Sequence, residues 1–300
     1  MTSRENLVRG LWTLFEPIHA LTYFSAESRA AFAEIGLTRY WDGYFAGRSA
    51  PLGAVTAAPV TAIFSGFAPS LVERALPAVW STASPDQALA ARSAGAASTL
   101  RSLVPDEAVI SRAAEALAAI AAGTDTVGRP LAAANRALAA TGDPYRDLWQ
   151  ATATLREHRG DGHVLALVSE DIAGLTTIVL RSGLDLDTSD MKRSRGWSDE
   201  VWDDEQSDLV SRGLLDDDGL ITPAGRDAID RAERLTNRLA TAPWGALSDA
   251  RIAAIAADLA PIARAAAPLY PQPNPIGMPS PWDAVADPAG ATIPSGPTAR

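Results

Sequence analysis

No cysteine occurs in the 300 residues, which excludes disulfide scaffolds, thiol catalysis, iron–sulfur clusters and cysteine zinc sites. Lysine is almost missing as well, Lys192 being the single one. Basic side chains number 26 against 36 acidic ones, a net charge of −10, which excludes a generic basic nucleic-acid coat. The start, Met1-Thr-Ser-Arg-Glu-Asn, lacks a charged-then-apolar signal layout, and no run of about 18 uninterrupted apolar residues is present. A cytoplasmic protein without a membrane partner is the expectation. There is no glycine-rich phosphate loop, dinucleotide fingerprint, nucleophile elbow or HExxH motif.

What is present is a chain 47% hydrophobic and 21% charged, enough for one large domain or two ordinary ones. Alanine makes up about a fifth of it, and alanine is the residue that costs least in a helix. Helical spacing dominates. It predicts helices over 4–16, 26–35 (capped by Ser25 and ended by Gly36), 85–101, 106–122 and 129–140. Asp143-Pro144 opens another to about Glu157, followed by one from Val164 or Ser169 to Leu180. Ser198 caps 198–211, Thr222-Pro223 starts a helix reaching Ala240, and 248–267 forms the last. Strand signals are few. Val60 to Phe64 is one candidate, and Leu214-Leu215 with Leu220-Ile221 around Asp216-Asp-Asp-Gly219 reads as a hairpin. Nine prolines fall in the last 33 residues, so 268–300 is expected to be an irregular tail.

A faint repeat runs through the chain. Leu11-Trp12 recurs as Leu148-Trp149, His19 as His158, and Glu34 to Thr38 as Asp171 to Thr176 with one insertion. Further on, at a wider spacing, Leu76 to Trp80 faces Ala240 to Trp244. The near-constant offset of the first three matches predicts two halves, 1–104 and 143–267, joined by a helical linker over 105–142.

From Val201 to Leu239 the order is helix, Arg212-Gly213-Leu214-Leu215, an acidic turn, Leu220-Ile221-Thr222-Pro223-Ala224-Gly225-Arg226, then a long helix. That stretch resembles a MarR-type winged helix-turn-helix. Over residues 10–245 the chain looks like an actinobacterial helix-turn-helix family known as SalK-like, through Glu16-Pro17-Ile18-His19, Gly47-Arg48-Ser49-Ala50-Pro51-Leu52-Gly53 and Glu157-His158-Arg159-Gly160-Asp161-Gly162-His163. The resemblance implies a mainly α fold of two winged helix-turn-helix-like halves with small β-hairpin wings. It implies little about chemistry.

Charge argues against DNA reading. The expected recognition helix and wing, 198–218, hold nine acids and one arginine, a net of −8, and DNA affinity rests on neutralised phosphates. Lys192, Arg193 and Arg195 just before it form a small basic patch, either a solvated loop or a phosphate or ligand contact. The acid run is either a solvated face or a surface for a partner or cation.

Histidine context carries the remaining signal. Gly160 is expected to end one helix and Gly162 to turn into the next, gathering Glu157, His158, Asp161 and His163 within one turn. Two imidazoles and two carboxylates suit general acid–base work, with His158 or His163 as acid or base, Glu157 or Asp161 as orienter and Arg159 as anion partner. The same groups offer metal ligands, with no tight ligand spacing and no metal or cofactor named by it. Equally, they serve as helix caps and turn residues. Glu16 and Tyr23 lie one helical turn either side of His19, which the repeat sets opposite His158. Arg48 is a carboxylate or phosphate clamp, or pairs with Asp42 on the surface. Tyr40, Trp41, Tyr44, Phe45, Phe64 and Phe67 read first as core and second as the wall of a planar-ligand pocket. The leading expectation is therefore a small-molecule pocket lined by Glu16, His19, Tyr23, Arg48, Glu157, His158, Arg159, Asp161 and His163, with or without turnover. A ligand-responsive transcriptional regulator that binds DNA is the alternative. No oligomeric state is read from the sequence.

Overall fold

The structure is a computed structural model that describes residues 3–271, 276–278, 280–283 and 287. Fourteen α-helices occur among them: α1 (Ser3–Phe24), α2 (Ala26–Glu34), α3 (Tyr40–Ser49), α4 (Ala57–Ile63), α5 (Pro69–Glu73), α6 (Pro85–Leu103), α7 (Glu107–Ala122), α8 (Pro130–Arg136), α9 (Pro144–Ser169), α10 (Leu175–Ser182), α11 (Thr188–Arg195), α12 (Asp199–Ser211), α13 (Pro223–Ala240) and α14 (Asp249–Ala266). Local chemistry sets many of these starts. Ser25, Ser84, Asp106, Asp143, Asp187, Ser198, Thr222 and Ser248 each accept a backbone N–H of the first turn. Proline occupies the first helical position of α6, α9 and α13, where its missing N–H costs nothing.

The expected β-hairpin wings are absent from the described residues. The hairpin at Leu214–Ile221 is reduced to one antiparallel bridge between Leu215 and Ile221. The Ile221 N–H is spent on the Gly183 carbonyl at 3.0 Å, and Pro223, with no N–H, starts α13 two residues on. No residues are left to lengthen a ladder. Val60 to Phe64 is no strand either, since Val60 to Ile63 lie in α4 and Val60 is buried there. A short apolar run fits a buried helix as well as a strand, and no strand is present among the described residues to pair with it.

The larger correction concerns the middle of the chain. α9 does not end near Glu157 but runs unbroken through Gly160-Asp161-Gly162 to Ser169. Gly162 is where the Arg129 side chain crosses the helix: a Cβ there would lie 2.5 Å from Arg129 Nη1. Arg129 donates through Nη1 to the His158 carbonyl and through Nη2 to the Leu239 carbonyl at 3.1 Å, tying α9 to the last turn of α13. The glycine is a packing device inside a helix, not a turn. The chain breaks further on, where Asp171 and Gly174 adopt positive φ.

α9 is the axis of the molecule and packs against α1, α6, α7, α8 and α13. One apolar core joins α1, α6, α7, α9 and α14 and holds Leu11, Leu14, Ile18, Leu21, Leu117 and Leu148 at or near zero exposure. A second core lies under α2–α6 around Phe45, Phe64 and Phe67, and a third joins the end of α9 with α10–α13 around Trp202 and Leu209. The segment Asp249–Leu269 is long and apolar enough to cross a membrane by length and composition. It nevertheless buries Ile252, Ile255, Leu259 and Ile262 in the first core. Of the proline-rich end, residues 272–275, 279, 284–286 and 288–300 lie outside the described residues. The described part returns to α1. The Tyr270 hydroxyl donates to the Pro17 carbonyl, the Trp282 indole covers Gly10, and the Trp282 backbone N–H donates to Thr13 Oγ1 at 2.9 Å.

Candidate functional site

A pocket of about 720 Å³, counted to its open mouth, is built where α1, α3, α6 and α9 meet. His19, Tyr23, Arg48 and Glu157 line it, together with Phe32, Tyr40, Tyr44, Arg92, Asn135, Trp149 and Ala153. Each helix contributes through its periodicity. His19 and Tyr23 stand one turn apart on α1, Tyr44 and Arg48 one turn apart on α3, and Trp149, Ala153 and Glu157 share one face of α9.

The ion pairing is dense. Arg48 grips Glu157 in a fork, Nε to Oε1 at 2.9 Å and Nη2 to Oε2 at 3.0 Å, and donates to the Tyr44 hydroxyl at 3.2 Å. Arg156 adds a third bond to Glu157 Oε2 at 3.0 Å and reaches Glu16 Oε1 at 3.4 Å. Glu157 is 2% exposed. Burial opposes its charge, but Arg156 and Arg48 outweigh that and hold its carboxyl well below the usual range. It is thereby an anchor and not a proton carrier near neutrality. Arg48 is likewise desolvated, and Glu157 raises its pKa well above the usual value.

His19 stacks on Trp149 with ring centroids 5.8 Å apart and planes 16° apart. Its Nε2 lies 2.9 Å from the Tyr23 hydroxyl, and its Nδ1 has no partner. Burial, reinforced by Arg156, lowers its pKa well below the ordinary imidazole value, so it is neutral at pH 7. Burial raises that of Tyr23, which keeps its proton. The pair is a neutral hydrogen-bonding couple facing the pocket.

The other residues singled out from the sequence lie elsewhere. Glu16 is buried behind the pocket wall, bonded by Trp12 Nε1 at 3.0 Å and by Arg156. Asp161 stands one turn beyond Glu157 on α9, past the pocket, whereas His158, Arg159 and His163 are on other faces, because the helix that replaces the expected turn rotates successive residues by about 100°. Asp161 accepts the Ala132 N–H at 2.9 Å, near the start of α8, and burial raises its pKa to about 6. His158 bonds the Asp125 backbone, leaves Nε2 unpaired, and has its pKa lowered by burial and then Arg129 to about 4. Arg159 donates to Glu233 Oε2 and Asn237 Oδ1, both at 3.2 Å, and lies 4.2 Å from the centroid of the Trp12 ring. His163 Nδ1 lies 2.9 Å from Thr236 Oγ1 and 3.7 Å from Glu233. Among the described residues, no three of His, Asp and Glu converge as a metal cluster. His19 and His158 do not meet: one faces the pocket and the other the α8–α9 joint.

Arg48 pairs with Glu157, while Asp42 pairs with Arg39 at 2.8 Å. Of the aromatic group, Phe45, Phe64 and Phe67 are core, whereas Tyr40 and Tyr44 line the pocket. Arg92, Asn135, Gln150 and Arg156 escaped the sequence reading. Arg92 sits inside an alanine-rich helix read only as packing, and the signal available was a lone arginine on that helix's apolar stretch. Around α12 the basic patch is already engaged. Lys192 bonds Asp199 at 2.9 Å and lies 3.5 Å from Asp203, Arg193 bonds Asp190, and Arg195 covers Phe67 at 4.6 Å.

No curated protein and no solved structure matches the chain. A family match does cover most of it, residues 8–269, and spans both the pocket helices and the α12–α13 segment. The chain belongs to a helix-turn-helix family.

Proposed function

We propose that this protein is a helix-turn-helix-family scaffold that binds a small molecule in the pocket between α1, α3, α6 and α9 and has lost DNA reading. The observation that carries the reading is a buried imidazole, His19, that lines the pocket with Nδ1 unpaired. An unmet buried polar atom is costly unless something supplies its partner, and a ligand in the adjoining space would. Glu157 locked between Arg48 and Arg156 keeps that space rigid, which lowers the cost of ordering a bound molecule. Any acid–base step would fall to His19 and Tyr23, the imidazole–phenol pair at the pocket, and not to His158, His163 or Asp161. The catalytic reading is therefore secondary to the binding one.

Two helical halves, 1–104 and 143–267, with 105–142 between them, fit this scheme. The cap-and-proline starts Ser84-Pro85 and Thr222-Pro223 are 138 residues apart and extend the offset of the sequence repeat. The pocket then lies where helices of both halves meet. A SalK-like, actinobacterial placement and a cytoplasmic location belong to the same reading.

The test is a melting screen of the purified protein with small-molecule panels, beside His19→Ala. Stabilisation of the wild type and not of the variant is the expected result. A ligand that stabilises both equally sinks the reading. The second reading is a ligand-responsive transcriptional regulator of the MarR kind, favoured by the family itself. Binding to DNA upstream of its own gene, with log affinity falling steeply against log salt, would support it. The acid-rich face of α12 and its internally paired basic residues predict no such binding.

A further inference from the structure

We propose that the pocket takes a small planar organic anion, its ring against Trp149 and His19 and its carboxylate-type group on the Arg92 guanidinium. This rests on the reading of the cavity as a ligand site and adds what the ligand must carry.

Three arginines occupy or back the inner wall, and they are not equivalent. Arg48 is met by both oxygens of Glu157, and Arg156 by Glu157 and Glu16. Arg92, 4% exposed, has neutral acceptors instead: the Gly47 carbonyl at 3.0 Å, Asn135 Oδ1 at 2.9 Å and Gln150 Oε1 at 3.1 Å. Its Nε–H has no acceptor at all. A buried cation whose partners are all neutral is the arrangement that favours an incoming anion, because the charge is already desolvated and awaits compensation. Burial lowers the Arg92 pKa to about 10, which still leaves it charged at pH 7.

The rest of the lining agrees. Its cations are Arg29, Arg39, Arg48 and Arg92, and its one carboxylate among the described residues is Glu157, already spent on Arg48 and Arg156. Arg39 is balanced by Asp42, while Arg29 at the mouth donates to the Phe24 carbonyl. The excess is positive. The walls are aromatic. Trp149 and His19 are stacked, Tyr23 and Tyr44 lie 5.0 Å apart, and Tyr40 and Phe32 complete the slot. Flat faces select a flat ligand, and the Arg92 guanidinium, 5.1 Å from the Trp149 centroid, sets the anionic group beside the ring. His19 Nδ1 offers a second polar contact.

Two shape-matched probes, 2-naphthoate and 2-naphthamide, test the charge requirement on the full chain. Binding is read by quenching of tryptophan fluorescence and by the melting shift at pH 7. The acid should bind at least about tenfold tighter than the amide. Arg92→Gln should abolish that preference, and Arg92→Lys should reduce it because the unmatched Nε–H donor is lost. Ala153→Phe, which fills the pocket, should remove binding of both probes. Equal binding of acid and amide to the wild type overturns the anion assignment while the pocket reading stands. Binding that Ala153→Phe leaves intact overturns the pocket reading, as does no binding of either probe up to millimolar concentration. Should Arg92→Gln not fold, the wild-type acid–amide ratio and Arg92→Lys decide the matter.

Discussion

The two sides of α9 are made of nearly the same chemistry and end in different states. On the pocket side, Glu157 meets Arg48 and Arg156, and beyond them His19, Tyr23 and Arg92 border open space. On the far side, Arg159 and His163 are absorbed by α13 through Glu233, Asn237 and Thr236, and Asp161, one turn beyond Glu157, is absorbed by α8 through Ala132. Each side has imidazole, carboxylate and guanidinium groups. What separates them is whether the partners are protein atoms or a cavity. A cluster of ionisable residues is thus a weak sign of a site on its own, and the space left beside it is the stronger one.

Several measurements would break or sharpen that contrast. The largest effect is expected from Glu157→Leu, which strands two buried guanidinium groups. It should cost about 3–5 kcal/mol in chemical denaturation, as breaking a buried ion pair does. A loss under 1 kcal/mol would mean the pocket wall is not held by this pair.

The joint side should instead reveal itself through pH. His158, with its pKa lowered to about 4, must stay neutral in the fold, so acidification from pH 6.5 to 4 favours the unfolded chain by about 3 kcal/mol. Asp161, raised to about 6, works in the opposite direction, since the fold gains a proton between pH 6 and 3.8 that the unfolded chain does not. The two nearly cancel. Asp161→Asn should therefore steepen the fall of stability between pH 6.5 and 4, and His158→Asn should flatten or reverse it. Parallel profiles for both variants and the wild type would contradict the assignment.

The two glycines of the shared segment give smaller and opposite effects. Gly162→Ala drives a Cβ into Arg129 and should destabilise the protein by about 1–3 kcal/mol despite alanine's better helix propensity. Gly160→Ala has its nearest contact, Glu157 Oε2, at 3.5 Å and should stabilise by up to about 1 kcal/mol. Thermal melts of the two variants check both signs. Of similar size, His163→Ala, on a half-buried side chain, should cost about 1 kcal/mol and leave ligand binding at the pocket unchanged.

Much of the helical layout was legible because it is written locally. Ser25, Ser198 and Thr222 are caps in the sequence and caps in the fold, and α7 and α14 follow their apolar spacing. The errors share one cause. Gly160-Asp-Gly162 reads as a turn by residue preference, yet Arg129, 33 residues upstream of Gly162, packs into the gap those small residues leave and the helix continues. The acidic hairpin at 214–221 reads as a wing, yet Ile221 bonds Gly183 and the ladder stops at one bridge. At the pocket, His19, Tyr23, Arg48 and Glu157 were named in advance, whereas Arg92 and Trp149 were not assigned to it, because nothing near them in sequence marks them.

The amino-acid order alone determined the helical class, the caps, the acidic face of α12 and the short roster of groups able to do chemistry, since each depends on residues within a turn or two of one another. Which of those groups share a space was decided by tertiary packing. Residues rotate by about 100° per step around α9, and only the long-range arrangement of α1, α3, α6, α8 and α13 sets which sector opens on a cavity and which is sealed.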